Sequence, residues 1–306
     1  MPAQHVYGPV PSQRLGLSLG VDLIPFKTCT LDCIYCQLGK TRRKTLQRKE
    51  YVPAAQVVEE IRQTLQEIHD IDYITFAGSG EPTLHSGIGD VIRGIKKITD
   101  IPVAVLTNGT LLFEKPVAES LLSADVVVPS LDAASPDMFR RINRPHRSLN
   151  IDTIINGMKR FRQRYRGQIW LEIMLIKGFN DTEEEIAGIR EAISEINPEK
   201  IQLKTVTRPP TESFAVPLNP GEIGAVKRLL PENAEVADES PIGNMQKEID
   251  VEAYTIRMAK RRPIGVDDVA HVFGISESNA ERMLDILEKK GLIKKKTYLK
   301  KTYYIS

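Results

Sequence analysis

The sequence predicts an α/β fold, with a parallel sheet covered by helices on its outer face. Two observations carry the fold prediction and a third divides the chain. Six short apolar runs recur between residues 16 and 206, and longer amphipathic stretches alternate with them. That is the pattern of parallel strands linked through helices. Residues 250–306 carry twelve Lys or Arg and eight Asp or Glu, a net of +4, while the rest carries thirty and thirty-two, a net of −2. The tail is thus a compositionally distinct segment.

Taken in order, residues 16–24 read as the first strand. Residues 54–69 are helical, with Val57, Val58, Ile61, Leu65 and Ile68 on one face. Strands at 73–77, 103–107, 125–131, 168–176 and 200–206 then alternate with helices at 89–99, 113–123, 150–165 and 182–196. Residues 207–248 are rich in Pro and acidic groups, and 208–211 and 231–241 read as turns and linker. A second unit starts near Ile249, giving domains at 1–240 and 249–306. A chain of 306 residues with 41% hydrophobic content has room for this and a real core.

No run of eighteen apolar residues exists, so no membrane span is expected. The first five residues, Met-Pro-Ala-Gln-His, lack the basic and apolar regions of a signal peptide. The expected compartment is the cytoplasm, where free thiols persist.

The chain's three cysteines, Cys29, Cys33 and Cys36, lie within eight residues of one another. Clustering of this kind points to metal ligation rather than to disulfides or scattered buried thiols. A Cys3His zinc site would add one of His5, His69, His85, His146 or His271. Three thiolates are also one short of the four that close a ferredoxin-type cluster. Counting alone does not separate zinc from iron–sulfur.

The spacing C-x3-C-x2-C, with Tyr35 before the last cysteine, resembles the signature of the radical S-adenosylmethionine (SAM) superfamily. The resemblance implies a partial (βα)6 TIM-like barrel. It also implies a [4Fe–4S] cluster held by the three cysteines, SAM chelated at the fourth iron, and one-electron cleavage to a 5'-deoxyadenosyl radical. A one-electron reductant, flavodoxin- or ferredoxin-like, is implied as partner. The flanking residues 7–22 and 37–41 resemble a branch grouped near the wyosine-base-formation enzymes of tRNA.

In barrels of parallel strands, functional residues gather at the C-terminal strand ends. After the second strand, Gly78, Ser79, Gly80 and Glu81 resemble the family's GGEP motif, which implies contact with the SAM amino group. Ser79 departs from the usual glycine. Without the cysteine loop this would read as a Gly-Pro turn. Asn108, after the third strand, is implied beside SAM or is simply part of an Asn-Gly turn. Ser130 and Asp132 end the fourth strand on one side, matching the family's ribose-binding position, and Asp132 is alternatively a helix N-cap. Glu172 interrupts an apolar strand and must be paired or functional if it faces inward. Gln202 and Lys204 share that alternation on the sixth strand. Arg141, Arg144, His146 and Arg147 form either a solvated surface or an anion clamp. No catalytic residue is assigned.

Six of the ten residues from Lys40 to Lys49 are basic, which suits an anionic substrate, a nucleic-acid backbone or plain solvent. In the tail, residues 252–260 and 266–272 read as helices and Gly274 as a turn. A third helix starts at a capping box of Ser278 and Glu281 and ends at Gly291, followed by a hairpin at 292–305. Helix-turn-helix plus hairpin resembles a small winged-helix domain. Its third helix is acidic, which opposes major-groove binding, whereas its hairpin carries Lys294, Lys295, Lys296, Lys300 and Lys301.

These readings converge on a cytosolic radical SAM enzyme. Two substrate classes stay open: an RNA nucleobase, favoured by the basic segments, and a peptide or protein, favoured by the acidic third helix. The alternative from another class is a non-catalytic, metal-dependent DNA-binding regulator. The absence of a fourth cysteine argues against a second all-cysteine cluster.

Overall fold

The computed structural model describes residues 5–12, 15–68, 70–237 and 251–306. β1 (Val6–Ser12) pairs antiparallel with β2 (Gly16–Val21). The cysteine loop follows, and a two-residue parallel ladder between β3 (Thr28–Cys29) and β4 (Arg43–Lys44) ties it together. The alternation then runs α1 (Ala54–Glu67), β5 (Tyr73–Phe76), α2 (Ile88–Ile95), β6 (Val103–Thr107), α3 (Lys115–Leu121), β7 (Val126–Pro129), α4 (Pro136–Asn143), α5 (Ile151–Arg164), β8 (Gln168–Leu175), α6 (Glu183–Ile196) and β9 (Lys200–Thr205). After it come α7 (Pro220–Arg228), β10 (Ala234–Val236), α8 (Val251–Ala259), α9 (Val266–Phe273), α10 (Glu277–Lys289), β11 (Lys294–Tyr298) and β12 (Lys301–Ile305).

All six predicted strands are present. With β1 and β10 they form one sheet in the order β1-β2-β5-β6-β7-β8-β9-β10, parallel except at β1. β1 and β10 stand at opposite ends of that order, so this is an open, barrel-like sheet with two edges. The two faces divide by alternation. Ile74, Phe76, Val105, Val127, Leu171, Ile173, Ile201 and Leu203 are at most 1% exposed and pack against the helices. Burying each such side chain is worth about 1.5–3 kcal/mol. The opposite face begins with a smaller apolar cluster of Leu15, Ala104, Val126, Val128 and Trp170. Toward the C-terminal strand ends the same alternation presents Ser130, Glu172, Gln202 and Lys204. The apolar cluster thus floors a polar mouth.

Several expectations are corrected. The stretch read as linker contains α7 and β10, and α7 carries a capping box of Asn219 and Glu222 despite its proline-rich surroundings. A further helix, α4, follows the fourth strand. Ser135 caps it and Asp132 does not. α10 starts two residues early, with Ser276 as its cap in place of Ser278. Gly274 (φ 60°) closes α9 and Ile275 N–H bonds back to Ala270 O, which leaves Ser276 extended at the cap position. The first helix ends at Glu67, and His69, its expected last residue, lies outside the described residues, as does the boundary at 238–250.

The C-terminal segment has its own cluster, which includes Tyr254, Met258, Ile264, Val269, Leu284, Leu287 and Tyr304, with Val10 of β1 packed against it. It is fastened to both flanks of the sheet. On one side Tyr254 OH donates to Pro9 O, and the Arg261 guanidinium lies 4.0 Å from the centre of the Tyr7 ring. On the other side Tyr298 OH donates to Val206 O and Tyr303 OH to Thr207 O. Arg208 makes two 2.9 Å bonds to Asp268 there. Among the described residues no helix is long and apolar enough to cross a membrane.

Candidate active site

The cysteine loop leaves the C-terminal end of β2 and crosses the ends of β5, β6 and β7. Two glycines allow it to sit close. A Cβ on Gly80 would lie 1.9 Å from Thr28 O, a main-chain atom that cannot yield. Gly78 adopts φ +138°, and a Cβ there would strike the Asp22 carboxylate at 2.6 Å. Ser79, the departure from the family pattern, turns its hydroxyl to Asp22 Oδ2 at 2.6 Å and donates its N–H to the same carboxylate. Its side chain is thus engaged by Asp22, and Ser79 O still accepts Lys27 N–H at 2.7 Å.

Glu81 is buried and accepts four bonds. Thr83 N–H and Thr83 and Thr107 hydroxyls reach Oε1, and Asn108 N–H reaches Oε2 at 2.7 Å. It stitches the end of β5 to the end of β6, although burial raises its pKa. Asn108 then clamps the cysteine loop, donating from Nδ2 to Thr30 Oγ1 at 2.8 Å and to Cys29 Sγ at 3.5 Å. Tyr35 OH donates to Asp132 Oδ2 at 2.5 Å, and Asn143 Nδ2 donates to the same oxygen at 2.7 Å and to Cys33 Sγ at 3.5 Å. Met174 N–H occupies Asp132 Oδ1. Burial pushes the Asp132 carboxyl up to about 6, against the pull of those donors.

Each sulfur thus has a donor: Asn108 for Cys29, Asn143 for Cys33, and Lys27 Nζ for Cys36 at 3.1 Å. Burial, with Glu81 nearby, pushes the Cys29 thiol up to about 12. Among the described residues no three His, Cys, Asp or Glu side chains form a closed metal-ligand set. The three thiols nonetheless influence one another electrostatically. Lys27 and Asn143 escaped the sequence reading. A lysine two residues before the first cysteine looks like ordinary surface charge, and Asn143 is placed only by α4. Beside the loop a small pocket is lined by Asn108, Thr110, Ser130, Asp132 and Asn143.

Glu172 faces the mouth and is paired with Lys204 at 3.0 Å, so the structure takes the paired branch of that expectation. Gln202 is buried, and its Nε2 reaches Glu235 at 3.3 Å. Arg144 is ion-paired with Glu212 at 2.5 Å, and Arg141 stacks on Phe179, so neither supports an anion clamp. Of the basic run, Arg48 is spent on the carbonyls of Thr83 and His85. Lys40, Arg42, Arg43 and Lys44 are exposed. The main chain carries the last two alongside the first cysteine: Arg43 pairs with Thr28, Lys44 with Cys29, and Thr45 N–H bonds to Cys29 O.

Comparison with known proteins agrees with this geometry. The profile described as Radical SAM superfamily matches residues 23–188. A protein of Brachyspira hyodysenteriae named GTPase Obg is 38% identical over 297 residues, which is 95% of this chain and 43% of that protein. The chain therefore spans less than half of that relative. A UPF0026 protein of Methanocaldococcus jannaschii is 37% identical over 73% of this chain and 69% of its own length. A solved structure of TYW1 with a lysine–pyruvate adduct bound shares the fold at a TM-score of 0.53 and 19% identity, over 71% of this chain and 74% of that one.

Proposed function

This chain belongs to the radical SAM superfamily, and on that premise we propose that it directs SAM-derived radical chemistry at a nucleobase of an RNA. It is an enzyme of the radical SAM class, with a [4Fe–4S] cluster and SAM as cofactors. When bound, these supply one-electron cleavage of SAM and a 5'-deoxyadenosyl radical able to take a hydrogen atom. The donor set fits such a cluster: three cysteines on one loop, each sulfur with a hydrogen-bond donor. We assign Cys29, Cys33 and Cys36 as its ligands.

The main chain around Gly78, Ser79, Gly80 and Glu81 receives the SAM amino group in this reading, and Glu81 holds that turn rigid from within. Asn108 and Tyr35 brace the loop. Ser130 takes the ribose together with Asp132, whose Oδ1 accepts only the Met174 N–H and keeps room for a ribose hydroxyl. Among the described residues the Ser130 hydroxyl has no hydrogen-bond partner. The substrate enters over Glu172, Gln202 and Lys204, and the apolar floor keeps water from below.

One observation carries the RNA assignment: two cationic segments flank the mouth. β4 is hydrogen-bonded to Cys29, and the lysine hairpin is held at the end of β9 by Tyr298 and Tyr303. The acidic α10 that favoured a peptide is partly neutralised, since Lys295 bridges Asp285 at 2.9 Å and Glu288 at 3.6 Å. We take residues 249–306 as a winged-helix-like domain serving this RNA contact, residues 1–240 as the radical domain, a flavodoxin- or ferredoxin-like protein as reductant, and the cytoplasm as the compartment.

The test is anaerobic reconstitution with iron and sulfide, then dithionite and SAM with total RNA added, quantifying 5'-deoxyadenosine. Production that rises with RNA and disappears with Cys33→Ala supports the proposal. Production that is indifferent to RNA but stimulated by a peptide pool would overturn the substrate class.

A further inference from the structure

Lys27 is a buried cation in an unusual place. It is 3% exposed. Its ammonium lies 3.1 Å from Cys36 Sγ, and among the described residues it pairs with no carboxylate. A buried ammonium without a counter-charge costs several kcal/mol, so such groups are found facing an anion or a metal site. The group it faces is the Cys36 sulfur, which becomes anionic when the cysteine loop ligates a metal.

The backbone aims it there. Lys27 adopts φ 58°, a left-handed conformation that lysine rarely takes and that costs on the order of 1 kcal/mol. Three bonds hold it: its N–H to Ser79 O at 2.7 Å, and its carbonyl accepting Arg42 and Arg43 N–H at 3.0 Å. The same residue therefore joins the glycine-rich turn, the cysteine loop and the basic strand. The donors to Cys29 and Cys33 are neutral amides at 3.5 Å, and Cys36 alone has a charged one.

We propose that Lys27 is a positioning residue that sets the reduction potential of the bound cluster through its fixed positive charge on the Cys36 sulfur. Net charge and hydrogen bonds to the sulfurs are recognised levers on cluster potentials. A positive charge favours the reduced cluster, which carries one more electron. At an effective dielectric of about 20, a unit charge a few ångströms away changes that equilibrium by more than a decade. The inference rests on the three cysteines holding the cluster and not on the identity of the substrate.

The experiment is a redox titration of the reconstituted protein without SAM, followed by EPR, with iron and sulfide counted per chain. Lys27→Met and Lys27→Gln remove the charge, and Lys27→Arg keeps it. At one fixed potential the neutral variants should show at least tenfold less reduced cluster than wild type at equal iron content, about 59 mV for one electron, and Lys27→Arg should stay within threefold. Equal iron with unchanged potential would overturn the proposal while leaving the cluster reading intact. Wild-type protein that holds no iron–sulfur cluster would overturn both. Neutral variants that lose iron while Lys27→Arg loads normally would assign Lys27 to assembly instead. Weaker SAM binding with no shift in potential would make it a SAM contact, which also overturns the assignment.

Discussion

Replacing Asp268 with alanine should loosen the C-terminal segment from the sheet. Its carboxylate accepts two 2.9 Å bonds from Arg208, one of 3.1 Å from Arg262 and one of 2.8 Å from Gly265 N–H. The side chains are 15%, 21% and 26% exposed for Asp268, Arg208 and Arg262. Removing one member of a fully buried pair costs about 3–5 kcal/mol. Partial exposure screens that, so about 2–3 kcal/mol is expected here, or roughly a 30- to 150-fold rise in the undocked population. Hydrogen exchange reads this directly: amides of α9 should exchange faster by that factor while those of β5 to β8 stay unchanged. Less than threefold acceleration, or a uniform change through the whole sheet, would refute the reasoning. A pH arm gives the sign. Burial raises the Asp268 pKa, but Arg262 and Arg208 outweigh it and hold the carboxyl well below its usual 3.8. A depressed folded pKa gives stability that is present above the unfolded value and lost as pH falls through the folded one. Docking should therefore weaken only below about pH 4.

Other consequences are equally direct. Gly80→Ala places a methyl group against Thr28 O, so iron incorporation should fall severalfold, measured as iron per chain after reconstitution. Glu81→Gln turns one acceptor oxygen into a donor facing other donors, which should lower stability by about 1–3 kcal/mol in urea titration of the apo protein. Reversing the hairpin with Lys294→Glu, Lys296→Glu and Lys300→Glu should weaken RNA binding and flatten its salt dependence by roughly two to three phosphate contacts. An unchanged slope in filter binding would exclude the hairpin from the RNA contact.

The central sheet was legible because strands buried between helices and barrel interior read as plain apolar runs. Glu172 was legible for the opposite reason, since a carboxylate in such a run demands a partner, and Lys204 is that partner. β1 was not legible: it contains two prolines, tolerated only because it is an edge strand. The helix α4, with the sequence Pro-Asp-Met-Phe-Arg-Arg-Ile-Asn, hides its apolar stripe among charges, although Ser135 followed by Pro136 is a readable start. The three cysteines were read as metal ligands from their clustering. Asn143 and Lys27, which serve two of their sulfurs, were not, and Asn108 was read beside SAM rather than against Cys29, which it meets across 79 residues of sequence. Asp132 was read as a ligand contact or a helix cap; it caps no helix, and its partners Tyr35, Asn143 and Met174 come from three separate segments. Residue type and position cannot reveal those partners.

The bond from Tyr254 to Pro9 joins residues 245 apart, and that fact has a temporal side. Synthesis proceeds at about 5–20 residues per second. The first strand therefore waits roughly 10–50 s for the helix that anchors it. For that interval Val10 lacks its cover, and the open flank of the sheet has no fastening. A nascent chain in that state already displays all three cysteines. The covered state of β1 should accordingly await completion of residues 251–306, long after the cysteines themselves have left the ribosome.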